Sequence, residues 1–272
     1  MRRSERLAAL TKILVDRPNR VVSLAEFVAR FGAAKSTISE DLAIIRDVFE
    51  EQGLGRVETI TGAAGGVRYV PHLAAAEVVA VVEELCRELA DPRRILPGGF
   101  LYMSDLVSSP ALMSRVGEIF ATRFHSALPQ AVVTLETRGI PIALMTARAL
   151  DVPLAIVRRA SRVTEGSVVS MNYVTGSAKR IETMSLSRRA LSEGMRVLIL
   201  DDFMKAGGSA KGLVDLVEEF GAYACGIGVL VETALPARKL VPEYVSLAVL
   251  DAVDEERRVV RVRPSDWVGR LV

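Results

Sequence analysis

The chain has 272 residues, half of them hydrophobic, so it is long enough for one large or two ordinary domains with sizeable cores. Its 35 lysines and arginines stand against 33 aspartates and glutamates, and the net charge of +2 excludes a protein that holds nucleic acid by overall positive charge. No apolar run approaches the roughly 18 residues of a membrane span, and the charged N-terminus does not resemble a signal peptide. We therefore expect a cytoplasmic protein without a membrane segment, with Cys86 and Cys225 reduced and buried.

The N-terminal quarter of the chain has the pattern of a small helical domain. Apolar residues with helical spacing predict a first helix, and Ser23 is a good N-cap for a second. A third helix is predicted to begin after a cap at Ser36 or Thr37. Two short strands, 57–61 and 67–70, then surround a glycine-rich turn. This order of elements predicts a winged helix in residues 1–72.

The third helix is the candidate recognition helix, because the N-terminal part of such a helix contacts base edges. The candidate DNA contacts lie on this helix, on the hairpin and in a basic N-terminal arm: Lys35, Ser36, Thr37, Ser39, Arg68, Arg2 and Arg3. Residues 1–70 carry 11 basic and nine acidic side chains, so one copy would attract DNA only weakly and a homodimer is expected. A protein-interaction module of the same shape remains an alternative.

The remainder of the chain, 73–272, begins with a connector helix that extends to about residue 95 and then alternates apolar strands with helices. The predicted strands are 131–136, 153–158, 197–200, 224–231 and 245–250, and the predicted helices are 110–124, 139–150 and 209–220. Such alternation is typical of an α/β domain with a mostly parallel sheet covered on both faces. Residues 159–186 interrupt the alternation and are interpreted as a long polar loop.

The most informative stretch is VLILDDFMKAGGS, residues 197–209. A buried strand ends in Asp201 and Asp202, and a glycine-rich loop then leads into a helix. Glycines let main-chain amides approach a phosphate, the helix start adds partial positive charge, and paired carboxylates can accept hydrogen bonds from ribose hydroxyls. The arrangement therefore predicts a site for a phosphorylated sugar.

This stretch resembles the ribose-phosphate signature of type I phosphoribosyltransferases, which bind phosphoribosyl pyrophosphate (PRPP). The stretches SAKRIETMSLSRR (177–189), ILPGGFLYMSDL (95–106) and KSTISEDLAIIRDVFEEQGLG (35–55) are similar to the purine operon repressor family of Gram-positive bacteria. The resemblance covers residues 2 to about 250 and is weaker after Asp251. It implies a winged helix fused to a domain of type I phosphoribosyltransferase fold.

The resemblance also implies an effector site, for which the candidate residues are Asp201, Asp202, Lys205, Ala206, Gly207, Gly208, Ser209, Thr137, Arg138, Gly139, Arg158, Arg159, Tyr173 and Lys179. Residues 158–196 contain eight basic and three acidic side chains, which predicts a positive field around this site. The chain departs from the enzymes at Ala206, where they commonly carry threonine.

The function implied is a PRPP-responsive repressor of purine biosynthesis and transport genes, without catalytic residues, that is released from operator DNA by PRPP. Magnesium is expected only as a companion of the effector, with no protein metal site, and nucleotides such as (p)ppGpp are expected to compete. Two alternatives stay open. One is a purine salvage phosphoribosyltransferase, in which Trp267 would stack the base, and the other is an RNA-binding regulator of the pyrimidine type.

Overall fold

A computed structural model describes residues 1–62, 65–160, 163–175 and 180–271 of the protein. The chain divides into two compact units. The first unit contains residues 1–74 together with 148–151, and the second unit contains the rest. Among the described residues, no helix combines the length and apolar character needed to cross a membrane.

The first unit is a winged helix. Its elements in chain order are α1 (Arg3–Asp16), α2 (Leu24–Phe31), α3 (Lys35–Glu51), β1 (Arg56–Ile60) and β2 (Gly66–Val70). The two strands pair as an antiparallel hairpin, and Val22 adds a bridge to Val67 on β2. The helices and the hairpin bury one shared core, in which Leu10, Phe27 and Ile38 have no exposed surface. This core fixes the helix-turn-helix against the wing.

The start of α3 differs from the sequence prediction. Ser23 caps α2 as expected, because its side chain accepts a hydrogen bond from the amide of Glu26 at 3.1 Å. The predicted cap of α3 at Ser36 or Thr37 is wrong, since the helix begins at Lys35 after Ala34, which makes no side-chain cap. The Ser36 and Thr37 side chains therefore belong to the first turn of α3, where a hydroxyl can point outward instead of closing the helix.

The second unit is an α/β domain. Its elements are α4 (Ala75–Leu89), β3 (Ile95–Leu96), β4 (Phe100–Leu101), α5 (Ser104–Val107), α6 (Pro110–Phe124), β5 (Ala131–Leu135), α7 (Gly139–Leu150), β6 (Leu154–Val157), β7 (Val168–Val174), β8 (Ile181–Ser187), β9 (Arg196–Met204), α8 (Gly208–Glu219), β10 (Tyr223–Thr233), β11 (Val245–Asp254), β12 (Val259–Pro264) and α9 (Asp266–Gly269). The alternation predicted from the sequence is therefore present.

Six strands form the central sheet in the order β12-β11-β10-β9-β5-β6. All neighbours are parallel except β12, which runs antiparallel to β11 at one edge. Strand β5 is buried along its whole length, as a strand covered on both faces should be. On one face, Leu213 and Leu216 of α8 are fully buried, and burial of each such side chain is worth about 1.5–3 kcal/mol. This packing fixes the start of α8 against the end of β9.

The polar stretch 159–186 is not a plain loop, and that prediction is wrong. Strands β7 and β8 within it pair residue by residue from Val168↔Ser187 to Val174↔Ile181. Tyr173 of β7 and Met184 and Leu186 of β8 are buried, and Met184 and Tyr173 contact α8 at Gly212. The sequence prediction missed the hairpin because half of its side chains are polar and the glycines suggested a loop.

Candidate functional site

The end of β5 and the end of β9 lie side by side, although Leu135 and Met204 are 69 positions apart in sequence. The two strands are parallel neighbours, with Val133 paired to Ile199, so both carboxyl ends reach the same edge of the sheet. Ligands of open α/β sheets bind outside this edge. A cavity of about 780 Å³ occupies this position, between the residues that follow β5 and those that follow β9.

The floor of the cavity is the segment 205–209, which we call the glycine loop. Gly207 has a positive φ of 83°, which favours glycine, and α8 begins at the next residue. The amide of Lys211 donates to the Gly207 carbonyl at 2.9 Å, while the first amides of α8 have no earlier helical carbonyl to bind. The loop therefore presents main-chain donors and the positive end of a helix dipole to the cavity.

Two adjacent carboxylates form the next part of the wall. Asp201 Oδ1 accepts a hydrogen bond from the Asp202 amide at 2.9 Å. A β-carbon at Gly139 would lie 2.2 Å from Thr134 Oγ1 and 3.1 Å from Asp201 Oδ1, so only glycine lets the two loops approach this closely. Burial raises the pKa of Asp201 well above its ordinary value, and the neighbouring Asp202 carboxylate raises it further.

The residues after β5 supply a cation. Arg138 Nε lies 3.0 Å from Asp202 Oδ2, and about half of the Arg138 side chain is exposed to the cavity side. Asp202 Oδ2 is buried, yet it accepts no hydrogen bond of normal geometry from the described residues. The Glu136–Thr137 peptide bond that precedes Arg138 is cis. An acceptor that is buried next to a half-exposed guanidinium is available to a ligand that carries both hydroxyl and anionic groups.

The two arginines after β6 have different environments. Arg158 contacts Glu136 Oε2 at 3.0 Å and Glu165 at 3.5 Å, and it does not line the cavity. Our placement of Arg158 in the effector site is therefore corrected: its side chain ties the two loops together behind the site. Arg159 does line the cavity, because consecutive residues at the end of a strand point to opposite sides.

The hairpin β7–β8 closes the cavity on one side through a polar cluster. The Tyr173 hydroxyl donates to Glu182 Oε2 at 2.8 Å, and Arg159 bonds both Tyr173, at 3.1 Å, and Glu182. Burial raises the pKa of Tyr173 above its ordinary value, and the Glu182 carboxylate adds to this effect. Glu182 therefore forms an ion pair with the Arg159 guanidinium, to which an anionic ligand would also bind.

In the part of the chain that the structure describes, basic and acidic side chains line the cavity in equal number, whereas residues 158–196 predict a positive field. Among the described residues that line the cavity, the basic ones are Arg138, Arg159, Arg180 and Lys205, and the acidic ones are Glu136, Glu182, Asp201 and Asp202. Of the basic residues in that stretch, Arg159 and Arg180 line the cavity, Arg188 and Arg189 are exposed beyond the end of β8, and Arg162 and Lys179 fall outside the described residues. Such a wall suits a ligand that carries anionic groups together with a cation.

Most of the predicted effector residues come together in this one cavity. Those that line it are Asp201, Asp202, Lys205, Ala206, Gly207, Gly208, Ser209, Thr137, Arg138, Arg159 and Tyr173. Gly139 lies behind the wall, Arg158 supports it from outside, and Lys179 falls outside the described residues.

Two phenylalanines of the cavity were not predicted from the sequence. Phe100, on β4, lines it and is 71% exposed, and Phe203 follows the acid pair. No local pattern marks Phe100, which comes from a hairpin 100 residues before the glycine loop. Trp267, considered above as a base-stacking residue, lies elsewhere: its indole donates to the Ser246 carbonyl at 2.5 Å and lines a separate cavity of about 350 Å³.

The candidate DNA contacts of the first unit fall into two groups. Lys35, Ser36 and Ser39 are exposed and Thr37 is half-buried, all in the first two turns of α3. The basic arm is not observed as a free arm, because Arg2 caps α1 and Arg3 bonds the buried Asp41 at 3.0 Å. Arg68 likewise bonds Glu58 on the neighbouring strand at 2.9 Å. Lys35, at the start of α3, forms no ion pair with the described residues, so its charge can attract a phosphate backbone.

Comparisons with known proteins agree with this division of the chain. Residues 2–71 match the family described as bacterial purine repressor, N-terminal, and residues 103–263 match the phosphoribosyl transferase domain family. The chain is 46% identical over 267 residues to the purine biosynthesis transcriptional repressor PurR of Bacillus subtilis (strain 168), covering 98% of this chain and 94% of that one.

Two further comparisons extend this result. The chain is 41% identical to the purine biosynthesis transcriptional activator PurR of Lactococcus lactis subsp. lactis (strain IL1403), with 97% of each chain covered. Among solved structures, adenine phosphoribosyltransferase from Saccharomyces cerevisiae superposes with a TM-score of 0.53 at 23% identity, over 61% of this chain and 97% of that chain. At this identity the superposition shows the fold of the second unit alone.

Proposed function

Because the chain belongs to the family of purine biosynthesis transcriptional regulators that join a purine repressor N-terminal domain to a phosphoribosyl transferase domain, we propose that it is a repressor of purine genes that PRPP releases from operator DNA. The full-length relatives are named as regulators and not as enzymes, so the second unit serves as a sensor. Biosynthesis genes are the primary targets in this proposal, and purine transport genes are further ones.

The observation that carries the effector assignment is the union of three features in one cavity: the glycine loop, the acid pair and Arg138. The 5′-phosphate of PRPP would bind the amides of the glycine loop, where the helix dipole favours an anion. The ribose hydroxyls would donate to Asp201 and Asp202, and the pyrophosphate would bind Arg138 and the amides after β5.

The balanced charge of the cavity wall supports a ligand that arrives with magnesium. Magnesium bound to the pyrophosphate and ribose oxygens would face the acid pair, while the phosphates face the arginines. In this arrangement the oxygens of PRPP hold the magnesium, so the protein need not supply a full set of metal ligands. Phe100 and Phe203 offer apolar surface that PRPP, which has no base, leaves uncovered. They support the proposal that a pyrophosphate-bearing nucleotide such as (p)ppGpp competes for the cavity.

DNA binding is assigned to the first unit, with Lys35, Ser36, Thr37 and Ser39 as contacts in the major groove. The small net charge of this unit supports a dimer on a two-part operator, since one copy supplies few phosphate contacts. Effector and DNA must then weaken each other's binding by the same factor, because the coupling is reciprocal.

Repression is the proposed direction of regulation, although relatives are named both repressor and activator. Deleting the gene should raise purine transcript levels, whereas a fall would indicate an activator.

A titration of operator DNA with the purified protein tests the proposal. Fluorescence anisotropy should give a tight complex without effector and a weaker one with PRPP and magnesium, whereas ribose 5-phosphate should act less. Operator affinity that is unchanged by saturating PRPP would contradict the proposal. Incubation of the protein with PRPP and each nucleobase tests the enzyme alternative, for which steady formation of a nucleotide would be decisive.

A further inference from the structure

A lysine side chain is buried directly beneath the glycine loop. Lys239 follows β10 and is 9% exposed. Its ammonium donates to the main-chain carbonyl of Lys205 at 2.7 Å and to that of Thr233 at 2.6 Å. It is not among the residues that line the cavity, so it acts on the loop from behind. Lys205 begins the glycine loop, and this contact therefore reaches the segment assigned above to the 5′-phosphate.

The residues next to Lys239 reinforce the same support. The Leu240 amide donates to the Ala206 carbonyl at 2.9 Å, and the Thr233 hydroxyl contacts the Lys205 carbonyl at 3.3 Å. A β-carbon at Gly207 would lie 3.2 Å from the Leu240 nitrogen, so the two segments are in close contact. The carbonyls of residues 205 and 206 are thus held away from the cavity. Orienting carbonyls in this way leaves the following amides free to face a bound anion.

The charge of Lys239 has no close counter-ion in the part of the chain that the structure describes. No carboxylate among these residues lies within the 4 Å of an ion pair with its ammonium, and the two oxygens of Glu232 already accept hydrogen bonds from Tyr244 and Ser246. Burial lowers the pKa of Lys239, and Glu232 only opposes that effect from a distance. A buried charge without an ion-pair partner is costly unless another anion approaches it.

We infer that Lys239 is a positioning residue for the effector: its buried ammonium holds the glycine loop in its binding shape and supplies the positive charge that a bound phosphate monoester neutralises. The inference rests on the proposed function, since it deepens the assignment of the glycine loop to the phosphate group. It assigns this role to a residue that is distant in sequence from the loop and does not touch the ligand. The side-chain contact with two carbonyls and the unneutralised charge are the observations that carry it.

Binding of PRPP with magnesium to the full-length protein, measured by calorimetry, tests the inference. Lys239→Met removes the charge and both hydrogen bonds, and we expect its affinity for PRPP to fall tenfold or more, with operator affinity in the absence of effector unchanged. Lys239→Arg, which keeps a donor and the charge, should recover most of the loss. Lys211→Met is the matched control, because the exposed side chain of this α8 lysine pairs with Asp215, and only its main-chain amide, which the substitution keeps, contacts the loop.

The outcomes separate this inference from the proposed function. If the wild-type protein binds no PRPP, the proposed function itself fails. If the wild type binds and Lys239→Met binds equally well, the role of Lys239 is refuted. A loss of the same size in Lys211→Met would refute it too, because the effect would then be one of general charge. Thermal unfolding shows whether Lys239→Met is folded. If it is not, Lys239→Gln, which retains a donor without the charge, must lose PRPP affinity while its operator affinity stays unchanged; otherwise the inference is refuted.

Discussion

Arg138 and Asp202 face each other across the junction of two loops, with Arg138 Nε 3.0 Å from Asp202 Oδ2. The aspartate side chain is largely buried and the arginine is half exposed. A ligand with a pyrophosphate and ribose hydroxyls offers each of them a better partner, because the arginine can bind phosphate oxygens bidentately and the aspartate can accept from hydroxyls. Under the proposed function, PRPP would therefore exchange this ion pair for contacts of its own with both side chains.

The first prediction concerns Asp202. Asp202→Asn should weaken PRPP binding by about tenfold to 100-fold, because a charge-assisted hydrogen bond contributes about 1.5–3 kcal/mol. Operator binding without effector should not change, since the substitution lies in the second unit. Calorimetry measures the first quantity and anisotropy the second. PRPP affinity equal to that of the wild type would show that the acid pair does not bind the ribose.

The second prediction uses the raised pKa of Asp201. An acid whose folded-state pKa stands above its unfolded value of about 3.8 favours folding while it is protonated, and this contribution is lost as the pH rises through the folded pKa. Asp201→Asn is neutral at every pH and keeps the acceptor for the Asp202 amide. We expect this variant to melt higher than the wild type at pH 7, by about 2–4 °C for each kcal/mol gained.

The pH profile gives the control for this effect. The difference in melting temperature should shrink as the pH falls toward 4, where the carboxyl of Asp201 begins to be protonated in the unfolded protein as well. Thermal unfolding from pH 4 to pH 8 measures it. A variant that melts lower than the wild type at neutral pH would show that the ionised carboxylate stabilises the fold.

The third prediction concerns Glu182, which forms an ion pair with Arg159. Glu182→Gln should increase PRPP affinity severalfold, because the arginine then becomes available to the pyrophosphate without the loss of an ion pair. Glu165→Gln is the matched control, since Glu165 contacts Arg158, which does not line the cavity. Calorimetry on both variants measures the effect. Equal changes in the two, or weaker binding by Glu182→Gln, would contradict the competition.

The fourth prediction concerns DNA binding by α3. Lys35→Ala should weaken operator binding and reduce the slope of log affinity against log salt by about one, while PRPP affinity stays the same. Lys12→Ala removes an exposed lysine of α1, which pairs with Asp16, and should leave the slope unchanged. Anisotropy at several salt concentrations measures both slopes. A loss that is the same for both lysines would indicate general attraction to DNA and not a contact made by α3.

Much of the site could be predicted because its main motif is contiguous. The acid pair and the glycine loop follow one buried strand, and their positions relative to one another depend only on local backbone geometry. Arg158 and Arg159 show the limit of this approach. They are adjacent in sequence and identical in type, yet one supports the wall and the other lines it. The direction of each side chain depends on the exact end of β6, which local patterns do not define.

The sequence by itself determined the two-part organisation, the winged helix, the alternation of strands and helices, and the acid pair followed by the glycine loop, because each depends on periodicity or on a continuous motif. Only the tertiary structure decided which distant segments complete the site. The order of strands places the residues after β5 beside Asp201, brings Phe100 to the cavity, and puts Lys239 beneath the glycine loop. These contacts between distant segments arise from the pairing of whole strands and the packing of the segments that follow them. They therefore cannot be predicted from any short stretch of the sequence.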